Sequence, residues 1–273
     1  MSRFSANGWA VALVLLAAPA SGRGAEPPTP ESLARALLEG EALYTVRGGL
    51  KPLSDGFWQA RFPATADTSP EVDAARRALA ELRLGPDLVA GVYVFAAPFD
   101  GKKTASAFVA HRPALKRLIE RRADAFEPIG VAPADHPADV LAKIDRAPRA
   151  ARWRAFGLAF GYPEHAVEFF VAAGEKQAET KQFVPRDFVQ VPTFGSATGR
   201  FVYAVPKGHA PRTEDADLRA RADDALARFR AWHEVYIDRH RLGWVALLEN
   251  WAHPQTHEPA PRAACRFSRT RWR

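Results

Sequence analysis

Cysteine is almost absent from this chain: Cys265 is the only one in 273 residues. No disulfide can form within the chain, so packing, hydrogen bonds and ion pairs must hold the fold. Cys265 lies in the C-terminal tail, where an intermolecular bridge is its only disulfide chemistry and a catalytic thiol is not expected. Lysine is scarce too, at eight of the 38 basic residues; this arginine bias reads as codon composition rather than a demand for forked hydrogen bonding. Long apolar runs are also lacking. The stretch Ala10 to Ala18 falls well short of the roughly 20 residues needed to cross a bilayer, which excludes a transmembrane span once that stretch is removed.

What the first residues do have is the pattern of an export signal. Arg3 supplies the positive start, Ala10 to Ala18 the apolar centre, and Ala18-Pro-Ala20 and Ala20-Ser-Gly22 the small side chains a signal peptidase reads. Residues 1–22 are therefore expected to be removed, with the mature chain beginning between Ser21 and Glu26 in the periplasm or outside the cell. No cysteine follows the apolar stretch, so no lipid anchor is expected.

The formal net charge is +7 and the pI is near 9.8. That balance is misleading. Arg262, Arg266, Arg269, Arg271 and Arg273 concentrate on the tail with no acid among them, and Arg3 leaves with the signal. The intervening body is left at about +1, which argues against nucleic-acid binding by the folded part. Residues 259–273 read as a basic disordered tail, and residues 23–258 as one α+β domain.

Periodicity supplies the elements. Thr29-Pro30-Glu31 opens a helix over 30–39, and Ser69-Pro70-Glu71 opens a second, ended by Gly85-Pro86. Strands are expected at 43–46, 57–62 and 88–95, with Asp100-Gly101 turning the chain into a partner strand at 105–110. Helices follow at 113–126 and 137–145. Residues 149–172 form two more, meeting at a Gly161-Tyr162-Pro163 corner. Strands at 187–191 and 200–205 precede one long helix over 213–241, whose start is marked by Glu214, Asp215 and Asp217. The resulting fold class is α+β: short antiparallel strands in hairpins packed against six or seven helices, with a long C-terminal helix.

Familiar catalytic signatures fail on spacing. Gly195-Ser-Ala-Thr-Gly199 places its serine second rather than centrally, and between strands, so it is not a nucleophile elbow. Gly101-Lys102-Lys103-Thr104 lacks the upstream glycine of a phosphate loop, where Ala96 stands. His233 and His240 share the expected inward stripe of the last helix, but seven residues place them roughly 10 Å apart, too far for one zinc ion. His253 and His257 are four apart and form the candidate metal pair, although Pro254 interrupts them. Tyr44, Trp58 and Tyr93 could line a cleft, yet aromatics at strand positions more often belong to a core.

The most informative titratable cluster is Glu164, His165 and Glu168 at a helix start. Glu164 and Glu168 lie on one face, where paired carboxylates can divide acid and base roles; the plainer reading is that acids complement a helix N-terminus. No cofactor is read from the sequence. The reading favoured is an exported, non-catalytic binding or envelope-associated module for an unidentified ligand or envelope partner. Its rival is an exported hydrolase using Glu164, His165 and Glu168, with or without a metal.

Overall fold

The structure, a computed structural model, describes residues 26–47 and 49–253. Its architecture follows from one strand. β3 (Lys102–His111) is buried without interruption from Ala105 to Ala110. Successive side chains of a strand point to opposite faces, so unbroken burial means that both faces are covered. Ala107 and Val109 join one apolar core, while Phe108 and Ala110 join another on the opposite side. β1 (Leu53–Pro63) and β2 (Leu88–Val94) flank β3 antiparallel, giving the order β1-β3-β2. A second sheet pairs β4 (Arg186–Val191) with β5 (Phe201–Pro206).

The helices begin where side-chain chemistry can satisfy their free amides. α1 (Pro30–Glu39) is capped by Thr29, whose hydroxyl accepts from the Ser32 amide while the Ser32 hydroxyl accepts from the Thr29 amide. α2 (Leu43–Val46) follows. α3 (Pro70–Ala80) starts at Ser69, and α4 (Arg112–Arg121) starts at His111, whose Nδ1 accepts from the Ala114 amide. α5 (Ala123–Phe126), α6 (Pro137–Arg146), α7 (Arg149–Ala159) and α8 (Glu164–Thr180) all contribute to the apolar cluster that holds Phe108 and Ala110. α9 (Thr213–His233) buries Leu218, Ala222, Leu226, Phe229 and Trp232 along one stripe. α10 (Trp244–Ala252) packs on α1, and the Glu31 carboxylate accepts from the Trp244 and Val245 amides at its start.

The α+β class is as expected, and several details differ. The strand expected at 43–46 is the helical turn α2, with all four residues buried; their β-branched and aromatic character reports burial rather than extension. The helix expected over 113–126 breaks at Arg122 into α4 and α5. The long terminal helix stops being α-helical at His233 and continues as a π-helical turn, Glu234–Arg239. That extra residue per turn rotates the apolar stripe, so His240 is exposed rather than inward. α10 was not foreseen. Among the described residues ten α-helices therefore stand where six or seven were expected, the additions being short or terminal. The export signal, residues 259–273, Cys265 and His257 lie outside the described residues. Among the described residues, no helix is long and apolar enough to cross a membrane.

Candidate functional site

The corner before α8 requires glycine. Gly161 adopts φ +73°, and a Cβ there would lie 2.6 Å from the Leu50 carbonyl oxygen. This tight turn delivers His165 into α8 with its ring directed at β5 and the start of α9. There it stacks on His209 from the β5–α9 loop, with ring centroids 5.3 Å apart and planes 13° apart. Asp215, in the first turn of α9, lies beneath both. Its Oδ2 is 2.8 Å from His209 Nε2, and its Oδ1 is 3.2 Å from His165 Nε2.

Asp215 is fixed from three directions. The Tyr203 hydroxyl on β5 donates to Oδ1 at 2.5 Å, the Arg212 amide donates to Oδ2 at 2.9 Å, and His209 approaches the same oxygen. Burial pushes the Asp215 carboxyl upward, but Tyr203, the Arg212 amide and His209 together hold it below the usual carboxylate range. Burial depresses the His165 imidazole despite the opposing pull of Asp215, so the ring is neutral at neutral pH. The His165 side chain is 8% exposed, and neither ring nitrogen has a hydrogen-bond partner. Asp215 is close to Nε2 but off the direction of a hydrogen bond. A buried polar group without a partner costs about 1–3 kcal/mol, so leaving both ring nitrogens unpaired is costly.

His165, His209 and Asp215 can each present one donor atom with all three atoms within 4.8 Å of one another. Among the described residues they are the one group of three or more such side chains close enough to share a metal ion.

The cluster read from sequence is thus divided. His165 turns inward, whereas Glu164 is 62% exposed and pairs with Arg122 at 2.9 Å. Glu168 pairs with Arg154 at 2.6 Å. Neither carboxylate lines the open cleft of about 240 Å³ formed by Asp124, Pro128, Arg154 and Glu175. His253 sits beside Gly85, and its expected partner His257 lies outside the described residues. Sequence reasoning missed His209, Asp215 as a site residue, and Tyr203. Forty-four residues separate His165 from His209, and Asp215 carries only the signal of a helix-start acid.

A second polar group is enclosed within the core. The Lys51 side chain is wholly buried, donates to Glu41 at 2.7 Å, and lies 4.2 Å from the centre of the Phe201 ring and 5.2 Å from that of Tyr162. Asp55 begins a bulge in β1 between Asp55 and Gln59, where Gly56 takes φ +80°. Burial first, and Glu41 second, raise the Asp55 carboxyl to about 7 against the opposing pull of Lys51 and Ser106. Tyr44, Trp58 and Tyr93 belong to these cores rather than to a cleft. Tyr44 donates to the Pro192 carbonyl, Tyr93 donates to Asp145 Oδ2 at 2.8 Å, and Trp58 packs against two apolar clusters.

Comparison with known proteins finds no matching family, no matching curated protein and no matching solved structure.

Proposed function

We propose that this chain is an exported, non-catalytic binding protein whose ligand site is the His165–His209–Asp215 cluster. One observation carries the reading: a neutral imidazole, more than nine-tenths buried, holds both nitrogens free of hydrogen bonds beside an immobilised carboxylate. The export pattern of residues 1–22 gives the compartment, where the ligand or an envelope partner is met. The hydrolase alternative requires Glu164 and Glu168 to exchange protons with a substrate. Arg122 and Arg154 occupy those carboxylates, which favours binding over catalysis.

The test is a thermal-shift screen of tag-free full-length chain against divalent metal chlorides, phosphate, small carboxylates and simple sugars. At least one class should raise the unfolding midpoint of the wild type and leave His165→Ala unmoved. If no class separates the two proteins, this cluster is not the ligand site.

A further inference from the structure

We propose that His165, His209 and Asp215 form a site for one divalent transition-metal ion of the zinc class. The inference rests on the reading that this cluster is the binding site, and it names the ligand.

Donor chemistry narrows the choice first. Two imidazole nitrogens and one carboxylate oxygen suit zinc, cobalt, nickel, copper(II) or iron(II). Sites for calcium and magnesium are built from oxygen, and sites for copper(I) need thiolate or thioether sulfur. Imidazole must be neutral and the carboxylate ionised to bind.

Geometry agrees. Bonds of roughly 2.0–2.2 Å at tetrahedral angles put neighbouring donor atoms about 3.3 Å apart. The His165–Asp215 separation of 3.2 Å, off the hydrogen-bond direction, fits two ligands of one ion better than it fits a donor and an acceptor. The His209–Asp215 separation of 2.8 Å is shorter and is a hydrogen bond as it stands; an ion would part these two atoms by about half an ångström. The Tyr203 hydroxyl and the Arg212 amide are the outer contacts that orient a ligating carboxylate. Three protein donors leave a fourth position for solvent or an exogenous group.

The donors also come from three places: α8, the β5–α9 loop and the first turn of α9. None is near another in sequence except His209 and Asp215, so the site exists only in the folded chain. Coordination would give the orphaned His165 ring a partner, and it would tie the second sheet to both helices.

The experiment uses tag-free full-length chain stripped with a chelator and titrated with zinc chloride by calorimetry. One zinc ion per chain should bind, and the thermal midpoint should rise by several degrees. Cobalt(II) chloride should give the intense visible absorption of a tetrahedral site. His165→Ala and His209→Asn should each weaken zinc binding by at least about 100-fold, more than the loss of an outer contact costs. Because a core histidine variant can misfold, His209→Asn on the loop is the second variant, and circular dichroism checks both. Tyr203→Phe, a positioning change, should weaken binding roughly 10–100-fold and alter the cobalt spectrum. His253→Ala should change nothing. Equal zinc affinity in wild type and folded His209→Asn overturns the proposal, as does loss of binding in His253→Ala alone. A His165-dependent shift produced only by phosphate, a carboxylate or a sugar overturns the metal assignment while leaving the binding reading standing.

Discussion

Lys51 gives its ammonium to Glu41 at 2.7 Å inside an aromatic box, yet the two partners differ in their access to water: Lys51 is wholly buried and Glu41 is 23% exposed. The difference makes the pair asymmetric. Removing Glu41 strands a charge that has nowhere to go, whereas removing Lys51 leaves a carboxylate that reaches solvent. Glu41→Ala should therefore cost roughly 3–5 kcal/mol, and Lys51→Met distinctly less. The double variant Glu41→Leu with Lys51→Met should recover most of the loss. Urea midpoints of the four proteins check this, and equal costs for the two single changes would refute the asymmetry.

Asp55 predicts a pH dependence. In the folded chain its carboxyl titrates near 7, against about 3.9 when unfolded. The folded state therefore binds a proton that the unfolded chain releases. Its contribution is fully present below pH about 4 and is lost as pH rises through 7. Glu41, Lys51, Tyr162 and Ser106 face this group. Wild type should lose on the order of 3–4 kcal/mol between pH 4 and 8 relative to Asp55→Asn. Parallel stability curves for the two proteins would count against the raised value.

The aromatic pair on α7 and α8 is less deeply set than its spacing implies. Phe156 stacks on Phe160 at 5.5 Å, and Phe170 meets the edge of Trp153 at 5.4 Å, but both are only partly buried. Periodicity alone predicts about 3–5 kcal/mol for truncating either. With part of each ring already in water, Phe156→Ala and Phe170→Ala should cost roughly 1–3 kcal/mol. Phe126→Ala, at a fully buried ring, should cost about 3–5 kcal/mol. Guanidinium midpoints decide the order, and Phe156→Ala matching Phe126→Ala would contradict it.

Much of the fold was legible because its elements are punctuated locally. Thr29-Pro30 and Ser69-Pro70 announce helix starts, and Gly161-Tyr162-Pro163 announces the corner, all through contacts within a few residues. Leu-Tyr-Thr-Val of α2 reads as a strand because every position is buried and the segment carries no helical period. α10 was missed because its start is satisfied from 213 residues away, by Glu31. The site was half legible. His165 stood out beside Glu164 and Glu168, but it turns inward to Asp215 while those two carboxylates pair with Arg122 and Arg154. Its true companions come from another sheet and another helix, and nothing in local spacing links them.

Export is open to direct measurement. Intact-mass analysis of the protein from its native host should show a chain starting between Ser21 and Glu26. Full-length chain retained in the cytosol would remove the compartment on which the proposed function depends.

The last consequence belongs to two glycines. A Cβ at Gly157 would lie 2.8 Å from Val167 Cγ2, and one at Gly174 would lie 2.2 Å from Trp153 Cζ3. α7 and α8 are therefore spaced by hydrogen atoms at two points, like parts set by a gauge. His165 stands nine residues from Gly174, roughly 14 Å along the axis, so a tilt of about 5° pivoting there swings it by about 1 Å. Metal coordination tolerates only about 0.2 Å. The reach of His165 toward Asp215 is thus machined at a helix crossing remote from the proposed site, and a methyl group added there would detune that reach from a distance.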